Sequence, residues 1–472
     1  MLPLAEVWAG ITSQKVPWEA SWGFSGAVVD SRLVVAGSLF FALPGERHDG
    51  HEFVRDALER GAHGAVVARL DPGWNYPALR WNEPAPAIPP GPPVCFVVPD
   101  VLWALQRLGK HWRARFPACR VIGITGSVGK TTTKELIAAV LRQRYLTVKS
   151  EGNYNNEIGL PLTCLQLGME TERAVLEMGM YALGEITLLA DIGRPQVGVV
   201  TNVGPTHLER LGSIERIARA KEELVQSLPS DGVAVLNGDD PRVRAMGARA
   251  PTSRTFYYGL RPENTLWASD IGSYGLEGIA LRFHYQGDEV FAKLPLLGRH
   301  SVYGALAAAA VGLIEDMTWE EIIHGLSDRS ARIRLLVTPG VNGSIILDDT
   351  YNASPESTMA ALNLLAEMPG RKVAVLGDML ELGDFEVEGH RLVGRRAAEV
   401  AEILVTVGQR GRLIGEEALT YGMPAHRVHI LADNQSAAAL LADILQADDF
   451  VLVKGSRGMA MEQIIAAIAR GD

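Results

Sequence analysis

The sequence predicts an α/β fold of three domains. A chain of 472 residues has room for about three domains at roughly 150 residues each. An apolar run that begins near residue 121 leads into a glycine loop and a helix, and strands alternate with helices from about residue 329 onward. We therefore expect a small α/β N-terminal domain over 1–99, a central P-loop domain with a mononucleotide-binding parallel sheet over 100–328, and a Rossmann-like doubly wound C-terminal domain over 329–472.

Composition and charge narrow the class of partner. Hydrophobic residues make up 47% of the chain, and the net charge is −10. An acidic chain without a long basic run is not expected to bind nucleic acid or an anionic membrane. The cysteines, Cys95, Cys119 and Cys164, are too few and too scattered for a disulfide framework or a zinc site. We find no basic leader before an apolar stretch and no apolar run long enough to span a bilayer, so we expect a cytoplasmic protein, and a monomer.

The N-terminal domain carries polar motifs next to its predicted strands. Asp-Ser-Arg stands at 30–32, Leu-Phe-Phe-Ala-Leu-Pro-Gly at 39–45 and Asp-Gly-His at 49–51. These residues could be plain surface turns, or Arg32 and the glycine turns could hold a phosphorylated ligand. We expect strands over 65–68 and 94–98, and we interpret the proline-rich segment 71–93 as a loop.

The glycine loop of the central domain has the residues of a phosphate-binding loop. Its members are Gly126, Ser127, Gly129, Lys130, Thr131 and Thr132. Backbone N–H groups of such a loop face an anion, Lys130 is expected to reach the outer phosphates, and the hydroxyl of Thr131 is placed to bind Mg²⁺. The first glycine of G-x-x-x-x-G-K-T would fall at Ile124, but a structural turn would need neither the lysine nor the hydroxyls. ATP is therefore the expected substrate.

Further candidates lie after the neighbouring strands. Glu177 ends a predicted strand, and carboxylates at the ends of parallel strands face the ligand crevice, so it is a candidate Mg²⁺ ligand. His207 follows the next strand and could be a loop or core histidine, or a ligand for Mg²⁺ or phosphate. Lys221 could be a solvated helix lysine, and the asparagines of 153–156 could merely cap backbone groups.

Two segments complete the predicted architecture. Short alternating runs over 255–297 predict an antiparallel appendage, and an alanine-rich helix is expected over 298–309. In the C-terminal domain, polar residues follow three predicted strands, at 348–355, 377–383 and 454–457. Polar residues at the carboxyl ends of parallel strands outline a crevice.

These motifs resemble the Mur ligase and folylpolyglutamate synthetase superfamily, whose members join a carboxylate to an amine at the expense of ATP. The resemblance rests on the short phosphate loop, the N-terminal motifs and the Gly-Asn-x-Asn-Asn-Glu-Ile-Gly-x-Pro segment at 152–161. It implies that Lys221 carries CO₂ as a carbamate and that two Mg²⁺ ions are bound by Thr131, Glu177, His207 and Lys221. It implies catalytic roles for Lys130, Glu177, His207 and Lys221. It implies that the N-terminal domain holds the UDP-sugar end of the substrate through Ser31, Arg32, Gly45, Asp49 and His51.

Three C-terminal motifs narrow the resemblance. Asp-Asp-x-Tyr-Asn-Ala-x-Pro, Leu-Gly-Asp-Met-x-Glu-Leu-Gly and Lys-Gly-Ser-Arg are similar to the branch of the Mur ligase family that joins D-alanyl-D-alanine to UDP-N-acetylmuramoyl-tripeptide in peptidoglycan precursor synthesis. In the implied reaction, ATP converts the tripeptide carboxylate to an acyl phosphate, which the dipeptide amine attacks. The resemblance places Arg332 and Asp349 at the ribose of ATP. It places on the peptide side Asn155, Asn156, Tyr351, Asn352, Lys454 and Ser456. Ser301 and Gly304 stand where the family has asparagines, and Ala331 replaces a family glycine.

Two classes of alternative stay open. One is another Mur-type ligase or a folylpolyglutamate or cyanophycin-type ligase, of which the last two are disfavoured by the N-terminal motifs. The other is a P-loop switch or motor. A switch releases phosphate without any acceptor, whereas a ligase needs both a carboxylate and an amine.

Overall fold

The computed structural model of the chain describes residues 1–45, 48–71, 73–328 and 335–470. Its strands form three larger sheets and one short antiparallel pair. The strands at the centre of each large sheet are short runs rich in valine, isoleucine, leucine and phenylalanine, and most of their side chains are buried. Burial on both faces is the usual condition of parallel strands covered by helices.

The first sheet lies in the N-terminal part of the chain. Its elements are β1 Leu2–Pro3, α1 Leu4–Thr12, β2 Gly23–Phe24, β3 Ala27–Val28, β4 Leu39–Phe41, α2 Val54–Glu59, β5 Gly64–Val67, β6 Ala78–Arg80 and β7 Val94–Val97. Strands β3-β4-β5-β7-β6 are all parallel, and β1 pairs with β2. The predicted strands at 65–68 and 94–98 are confirmed to within one residue. The interpretation of 71–93 as a loop is wrong at β6, a three-residue edge strand too short to show a hydrophobic period.

The second sheet has nine strands and contains the glycine loop. Its elements are α3 Val101–Ala114, β8 Arg120–Thr125, α4 Lys130–Leu141, β9 Thr147–Lys149, α5 Gly159–Cys164, β10 Arg173–Glu177, α6 Glu185–Gly193, β11 Val197–Val200, α7 Leu208–Leu211, α8 Ile214–Gln226, β12 Val233–Asn237, α9 Pro241–Met246, β13 Thr255–Gly259, β14 Leu266–Ser273, β15 Ile279–Tyr285, β16 Asp288–Leu294, α10 Ser301–Ile314 and α11 Trp319–Leu326. The strand order is β16-β15-β14-β13-β12-β11-β8-β10-β9.

The predicted appendage differs from what the structure shows. Strands β15 and β16 are antiparallel, but β13 pairs parallel with β12 and β14 pairs parallel with β13. All four strands therefore extend the central sheet. The alternation of side chains in a half-exposed strand is the same in parallel and antiparallel pairs, so the sequence pattern did not distinguish them.

The third sheet forms the C-terminal part of the chain. Its elements are β17 Leu336–Pro339, β18 Ile345–Asp349, α12 Pro355–Ala366, β19 Arg371–Gly377, α13 Glu386–Val400, β20 Ile403–Val407, α14 Gly411–Thr420, β21 Val428–Leu431, α15 Asn434–Ile444, β22 Asp449–Lys454 and α16 Glu462–Ile468. The order β17-β18-β22-β19-β20-β21 is parallel except for the edge strand β17. This agrees with the predicted doubly wound sheet.

Helix α10 brings the glycine loop and the C-terminal sheet together. Its small residues are buried against α4, where Gly304 lies next to Leu136, and its first residues follow Leu297, which packs on the C-terminal core. Small side chains allow this close approach of two helices. Within the part of the chain that the structure describes, every helix is too short or too polar to cross a membrane.

Candidate active site

One cavity joins the central sheet to the C-terminal sheet. It measures about 370 Å³, within the range of ligand pockets, and both sheets present the carboxyl ends of their strands to it. Among the residues that line it are Gly126, Ser127, Gly129, Lys130, Thr131, Thr132, Asn155, Asn156, Glu177, His207, Lys221, Asp349, Tyr351, Asn352, Lys454 and Ser456. The cavity therefore gathers most of the predicted site residues of two domains.

Two glycines are needed for the shape of the loop. Gly126 has φ 153° and lies so close to Thr201 that a Cβ would stand 1.8 Å from the Thr201 hydroxyl oxygen. Gly129 directly precedes helix α4 and has φ 85°. This is a left-handed backbone conformation that residues other than glycine rarely adopt. The loop therefore turns sharply from β8 into the N-terminus of α4, where backbone N–H groups and the helix dipole favour an anion.

The segment after β11 holds the loop in place, a role that the sequence pattern did not reveal. Asn202 accepts a hydrogen bond from the N–H of Val128 at 2.8 Å, and Thr201 donates one to the Val128 carbonyl at 2.8 Å. The hydroxyl of Ser127 exchanges hydrogen bonds with the backbone of Gly204. Ser127 thus stabilises the loop through its side chain. The position of 201–202 at the end of a strand beside β8 was the available signal.

The predicted metal ligands of the central sheet lie together. The hydroxyl of Thr131 donates to a carboxylate oxygen of Glu177 at 2.8 Å, and Asn155 donates to the other oxygen at 2.9 Å. Lys130 donates to the carbonyls of Gly126 and Ser127, at 2.7 and 3.1 Å. The neighbouring Asn156 is used differently, because its side chain accepts from the N–H groups of 158 and 159 at the start of α5.

Lys134 is a second residue that sequence reasoning overlooked. It is completely buried one turn after Lys130, with its ammonium 3.2 Å from Glu135 and 3.8 Å from Glu177. Lys149 adds a further ion pair to Glu135 at 2.6 Å. The only signal was its spacing of four residues from Lys130, which puts both on one helix face.

Lys221 is buried on helix α8 and still reaches the cavity. Its side chain is 2% exposed, and no carboxylate among the described residues forms an ion pair with it. Burial, and after it the charge of nearby Lys130, holds the pKa of Lys221 well below its usual value. This burial rules out a solvated helix lysine, and it favours the uncharged amine relative to a lysine in water.

His207 links the two sheets. Its Nδ1 lies 2.6 Å from a carboxylate oxygen of Glu381, a residue of the C-terminal part that was named only within a motif. Both residues have positive φ, 58° and 64°. The ring of His207 also packs edge-on against Tyr181. The hydrogen bond to Glu381 therefore joins the segment after β11 to the loop after β19.

The C-terminal residues form a connected set at the ends of β18, β19 and β22. The buried ammonium of Lys454 donates to Asp349 at 2.6 Å and to the carbonyl of Asn352 at 2.8 Å. Ser456 accepts from the N–H of Leu380 at 2.9 Å, so its hydroxyl connects two loops. Tyr351 lies beneath the guanidinium of Arg457. Lys454 therefore orders the loop that carries Asp349 and Tyr351.

The predicted UDP-sugar residues lie outside this cavity, in the N-terminal part. Arg32 is 83% exposed and forms an ion pair with Asp30, whose carboxylate also accepts from the N–H of Arg32. Ser31 is buried beside them. An exposed guanidinium next to a helical turn can bind a phosphate, although here it already has a carboxylate partner.

Asp49 and His51 form a structural link instead of a free surface. The ring of His51 is buried, its Nδ1 lies 2.7 Å from Asp49 and its Nε2 accepts from the N–H of Ala68 at 2.8 Å. Arg69 donates to the other Asp49 oxygen. The N–H of Gly45 donates to the carbonyl of residue 48 within the same turn. Both ring nitrogens of His51 are used inside the protein.

Ser301 and Gly304, which stand where the family has asparagines, both have structural roles at helix α10. Arg332 lies outside the described residues. The hydroxyl of Ser301 donates to the carbonyl of Leu297 at 2.6 Å and so stabilises the start of α10. A Cβ at Gly304 would stand 3.1 Å from Leu136, so the close packing on α4 accounts for the glycine there.

The site suits a hard metal ion held partly by a substrate. Across the described ranges there is no group of three or more histidine, cysteine, aspartate and glutamate side chains that could hold a metal by itself. Mg²⁺ commonly takes one or two protein oxygens and completes its shell with phosphate and water. The adjacent oxygens of Thr131 and Glu177 match that donor set.

Family models match the chain in three segments. The Mur ligase middle domain matches residues 124–312, and the Mur ligase glutamate ligase domain matches 333–457. The model described as Mur ligase family, catalytic domain, matches 24–73. The middle-domain match contains the glycine loop, Glu177, His207 and Lys221, and the glutamate ligase match contains Asp349 and Lys454.

Curated proteins and solved structures match nearly the whole chain. The UDP-N-acetylmuramoyl-tripeptide–D-alanyl-D-alanine ligase of Bacillus subtilis (strain 168) is 39% identical over 444 residues, 93% of this chain and 92% of that protein. The ligase of the same name from Escherichia coli (strain K12) is 34% identical, covering 93% of this chain and 92% of that protein. A crystal structure of MurF from Acinetobacter baumannii has a TM-score of 0.82 at 30% identity, covering 98% of this chain and 97% of that one.

A further solved structure bears on the nucleotide. MurF ligase from Thermotoga maritima, crystallised in complex with ADP, has a TM-score of 0.76 at 29% identity, covering 94% of this chain and 96% of that one. These similarities confirm the resemblance drawn from the motifs, including its narrower form. The chain belongs to the Mur ligase family of ATP-dependent ligases.

Proposed function

We propose that this chain joins D-alanyl-D-alanine to UDP-N-acetylmuramoyl-tripeptide, with conversion of ATP to ADP and phosphate, in the synthesis of the peptidoglycan precursor. One observation carries the proposal. The phosphate loop, the Thr131–Glu177 pair and Lys221 of the central sheet line the same cavity as Tyr351 and Lys454 of the C-terminal sheet. A cavity shared by two domains can hold a nucleotide and a second reactant in contact.

The first step is phosphoryl transfer to the tripeptide. A carboxylate oxygen of the tripeptide attacks the γ-phosphorus of ATP, the bond to the bridging oxygen breaks, and ADP leaves. In the structure the ammonium of Lys130 donates hydrogen bonds to the carbonyls of Gly126 and Ser127. We expect it to exchange these bonds for contacts with the γ-phosphate, where it neutralises charge on the transferring group. The glycine loop holds the preceding phosphates. The products are an acyl phosphate and ADP.

The second step forms the amide. The neutral amine of the dipeptide attacks the acyl carbon, phosphate leaves with the bonding electron pair, and the nitrogen gives its extra proton to the released phosphate. No protein nucleophile is needed. The protein contributes proximity and the exclusion of water, which would otherwise hydrolyse the acyl phosphate.

Mg²⁺ fits the residues present. Thr131 and Glu177 would hold one ion, and His207 with a carbamate on Lys221 would hold a second, on the family pattern. When bound, Mg²⁺ supplies charge neutralisation at the phosphates. The hydrogen bond of Asn155 to Glu177 orients that carboxylate toward the loop.

Lys221 has the environment that carbamate formation requires. Only a neutral amine attacks CO₂, and the burial of Lys221 next to Lys130 favours the neutral form. The product carries a negative charge, which would compensate Lys130 and offer oxygen ligands to a cation. We infer that the modified lysine is the working form.

The N-terminal domain is assigned to the UDP-sugar end of the substrate. Arg32 is the exposed cation there, and its turn is stabilised by Asp30. Asp49 and His51 support this surface from beneath, because their side chains bond to each other and to Ala68. We propose that they shape the site and do not touch the ligand.

The cellular setting follows from the substrates. ATP and a UDP-linked precursor are cytoplasmic compounds, so we propose that the enzyme acts in the cytoplasm. A single chain supplies the central and C-terminal walls of the cavity, which supports a working monomer. The three cysteines are buried and free, in keeping with a reducing compartment.

A coupled assay of ADP and phosphate release tests the function. Release should require both UDP-N-acetylmuramoyl-tripeptide and D-alanyl-D-alanine, and the ligated pentapeptide should appear in equal amount. Release of phosphate that is independent of both acceptors would favour a switch instead. Release with glutamate or a folate as the required co-substrate would favour another ligase of the superfamily.

Lys130→Ala tests the nucleotide assignment within this function. We expect turnover to fall by at least about one hundredfold, the usual effect of removing a group that stabilises transition-state charge. The fold should be unchanged, because the loop is also held by hydrogen bonds of Ser127 and Val128 with the segment 201–204. Lys110→Ala, which removes an exposed ion pair with Asp191, is the matched control. Near-normal ligation by folded Lys130→Ala would contradict the assignment.

A further inference from the structure

Arg457 is a cation in the cavity that the reaction as described does not use. It lies just past the end of β22, its side chain is exposed, and it lines the cavity. Its guanidinium carbon stands 5.2 Å from the centre of the Tyr351 ring, and no carboxylate among the described residues pairs with it. Lys454, three residues earlier, is buried and bound to Asp349. Of the two cations in this motif, Arg457 is therefore exposed to the cavity, whereas Lys454 is buried in an ion pair.

The backbone around Arg457 is ordered by other residues. The N–H of Met459 donates to the carbonyl of Ser456, and the N–H of Ala460 donates to the carbonyl of Arg457. Ser456 also accepts from the N–H of Leu380. The turn is held without help from the guanidinium, so that group is available to a ligand.

The wall beside Arg457 is small and apolar. Gly458 contributes no side chain, and Leu380 lies 3.1 Å from where a Cβ of Gly458 would stand. The ring of Tyr351 forms the other side, and both Leu380 and Gly458 line the cavity. Such a wall accepts a methyl group better than a long or charged side chain.

We propose that Arg457 binds the free carboxylate of D-alanyl-D-alanine, with the methyl group of its terminal alanine between Tyr351 and Leu380. This deepens, and rests on, the proposed function. A guanidinium donates two parallel hydrogen bonds to a carboxylate, and stacking on Tyr351 keeps its plane in place. An extended dipeptide spans at most about 7 Å, so its amine stays within the cavity where the acyl phosphate forms.

The other anions of the reaction have other partners. The phosphates of ATP are assigned to the glycine loop and Lys130, which belong to the central sheet, and the UDP end to the N-terminal domain. The tripeptide carboxylate that reacts must meet the γ-phosphate of ATP, so it is assigned to the region of the glycine loop. The carboxylate of the dipeptide takes no part in bond formation, has no other partner assigned, and distinguishes the dipeptide from an amide or an ester. Arg457 therefore acts as a specificity residue for the second substrate.

The test compares two acceptors in two proteins. Wild type should use D-alanyl-D-alanine at least about tenfold better in kcat/KM than D-alanyl-D-alaninamide, since a charge-assisted bond is lost with the amide. Arg457→Ala should raise the KM for the dipeptide at least about tenfold and should treat the two acceptors nearly alike. Its KM for ATP and for the UDP-peptide should stay within about twofold of wild type.

Controls separate this inference from folding and from the proposed function. Arg412→Ala, which removes an exposed arginine of α14 paired with Glu416, should behave as wild type. Formation of acyl phosphate by Arg457→Ala before dipeptide is added shows that the variant is folded. The inference is overturned if Arg457→Ala still prefers D-alanyl-D-alanine over the amide as strongly as wild type does. It is also overturned if the KM for ATP or for the UDP-peptide rises as much as the KM for the dipeptide. If the wild-type protein forms no ligated product with the dipeptide, the proposed function is overturned instead.

Discussion

Two buried lysines of the central sheet have opposite electrostatic surroundings. Lys134 has no exposed surface, but Glu135 and Glu177 lie within 3.2 and 3.8 Å of its ammonium. Lys221 is 2% exposed and has another lysine as its charged neighbour. A buried charge without a partner is costly, so a structural lysine would be expected to look like Lys134. The surroundings of Lys221 point to chemistry.

Lys221→Ala should be nearly inactive although it folds normally. The variant lacks the amine that would take up CO₂ and so lacks the ligand for the second cation. A short carboxylic acid added in solution is expected to restore part of the turnover by occupying the vacated ligand position. Steady-state turnover with and without the acid measures both effects.

A direct readout accompanies that measurement. Wild type incubated with isotopically labelled bicarbonate should show a carbamate carbon signal that Lys221→Ala lacks. Turnover of the variant within about twofold of wild type, near 0.4 kcal/mol, would contradict a role for Lys221 in the reaction.

At the scale of elements, the turn before α2 is fastened to the end of β5. Asp49 accepts from the N–H of His51 and from its Nδ1, while His51 accepts from the N–H of Ala68. Arg69 completes the set by donating to Asp49. The Asp-Gly-His motif is thus a structural device that joins a helix N-terminus to a strand of the parallel sheet.

Asp49→Asn should lower the free energy of local unfolding of this junction at neutral pH by about 1 kcal/mol, the usual net value of a lost hydrogen bond. The N–H of His51, then Arg69 and the ring of His51, hold the pKa of Asp49 far below its usual range. The stabilisation is therefore present above the unfolded-state pKa, about 3.9, and is lost as pH falls through the lower folded-state value. The difference between wild type and variant should shrink below about pH 4 for the same reason.

Native-state hydrogen exchange at Ala68 measures this local stability. The protection of that amide should fall in Asp49→Asn while protection in the C-terminal sheet stays unchanged. Asp56→Asn is the matched control, because Asp56 pairs with Arg60 on the exposed face of α2. Unchanged protection of Ala68, together with a large rise in KM for the UDP-peptide, would instead indicate that Asp49 contacts the ligand.

At the scale of the whole molecule, side chains fasten the central part to the C-terminal part at two separate places. His207 lies 2.6 Å from Glu381, and Ser273 donates to Glu367 at 2.5 Å. Gly383 also approaches the backbone of Glu209 so closely that a Cβ would stand 2.9 Å from its Cα. These contacts hold the two walls of the cavity next to each other.

Glu381→Ala should shift the population toward open forms. Loss of a hydrogen bond worth about 1 to 2 kcal/mol changes such an equilibrium by a factor of roughly 5 to 30. We expect a larger radius of gyration in solution X-ray scattering of the protein alone, and a lower kcat/KM. Glu416→Ala, at an exposed pair on α14, is the control for surface charge. An unchanged radius together with unchanged turnover would contradict the role of this contact.

The local features of the molecule were determined by the sequence alone. The glycine loop between β8 and α4, and Glu177 at the end of β10, follow from hydrophobic periods and turn residues over short stretches. The same holds for the polar residues after β18, β19 and β22, which the parallel sheet brings to one edge. Because the side chains and backbone that decide these features are neighbours in the chain, a linear pattern suffices to predict them.

The tertiary structure alone decided which of those residues face a ligand and which support the fold. Three features depend on residues that are far apart in the chain, up to 174 positions. They are the burial of Lys221, the use of both His51 ring nitrogens and the hydrogen bond between His207 and Glu381. The β6 edge strand and the parallel pairing of β13 and β14 likewise depend on which strands meet. Solvation and charge at one residue are set by atoms that are close in space, and their distances are not encoded in any local run of residues.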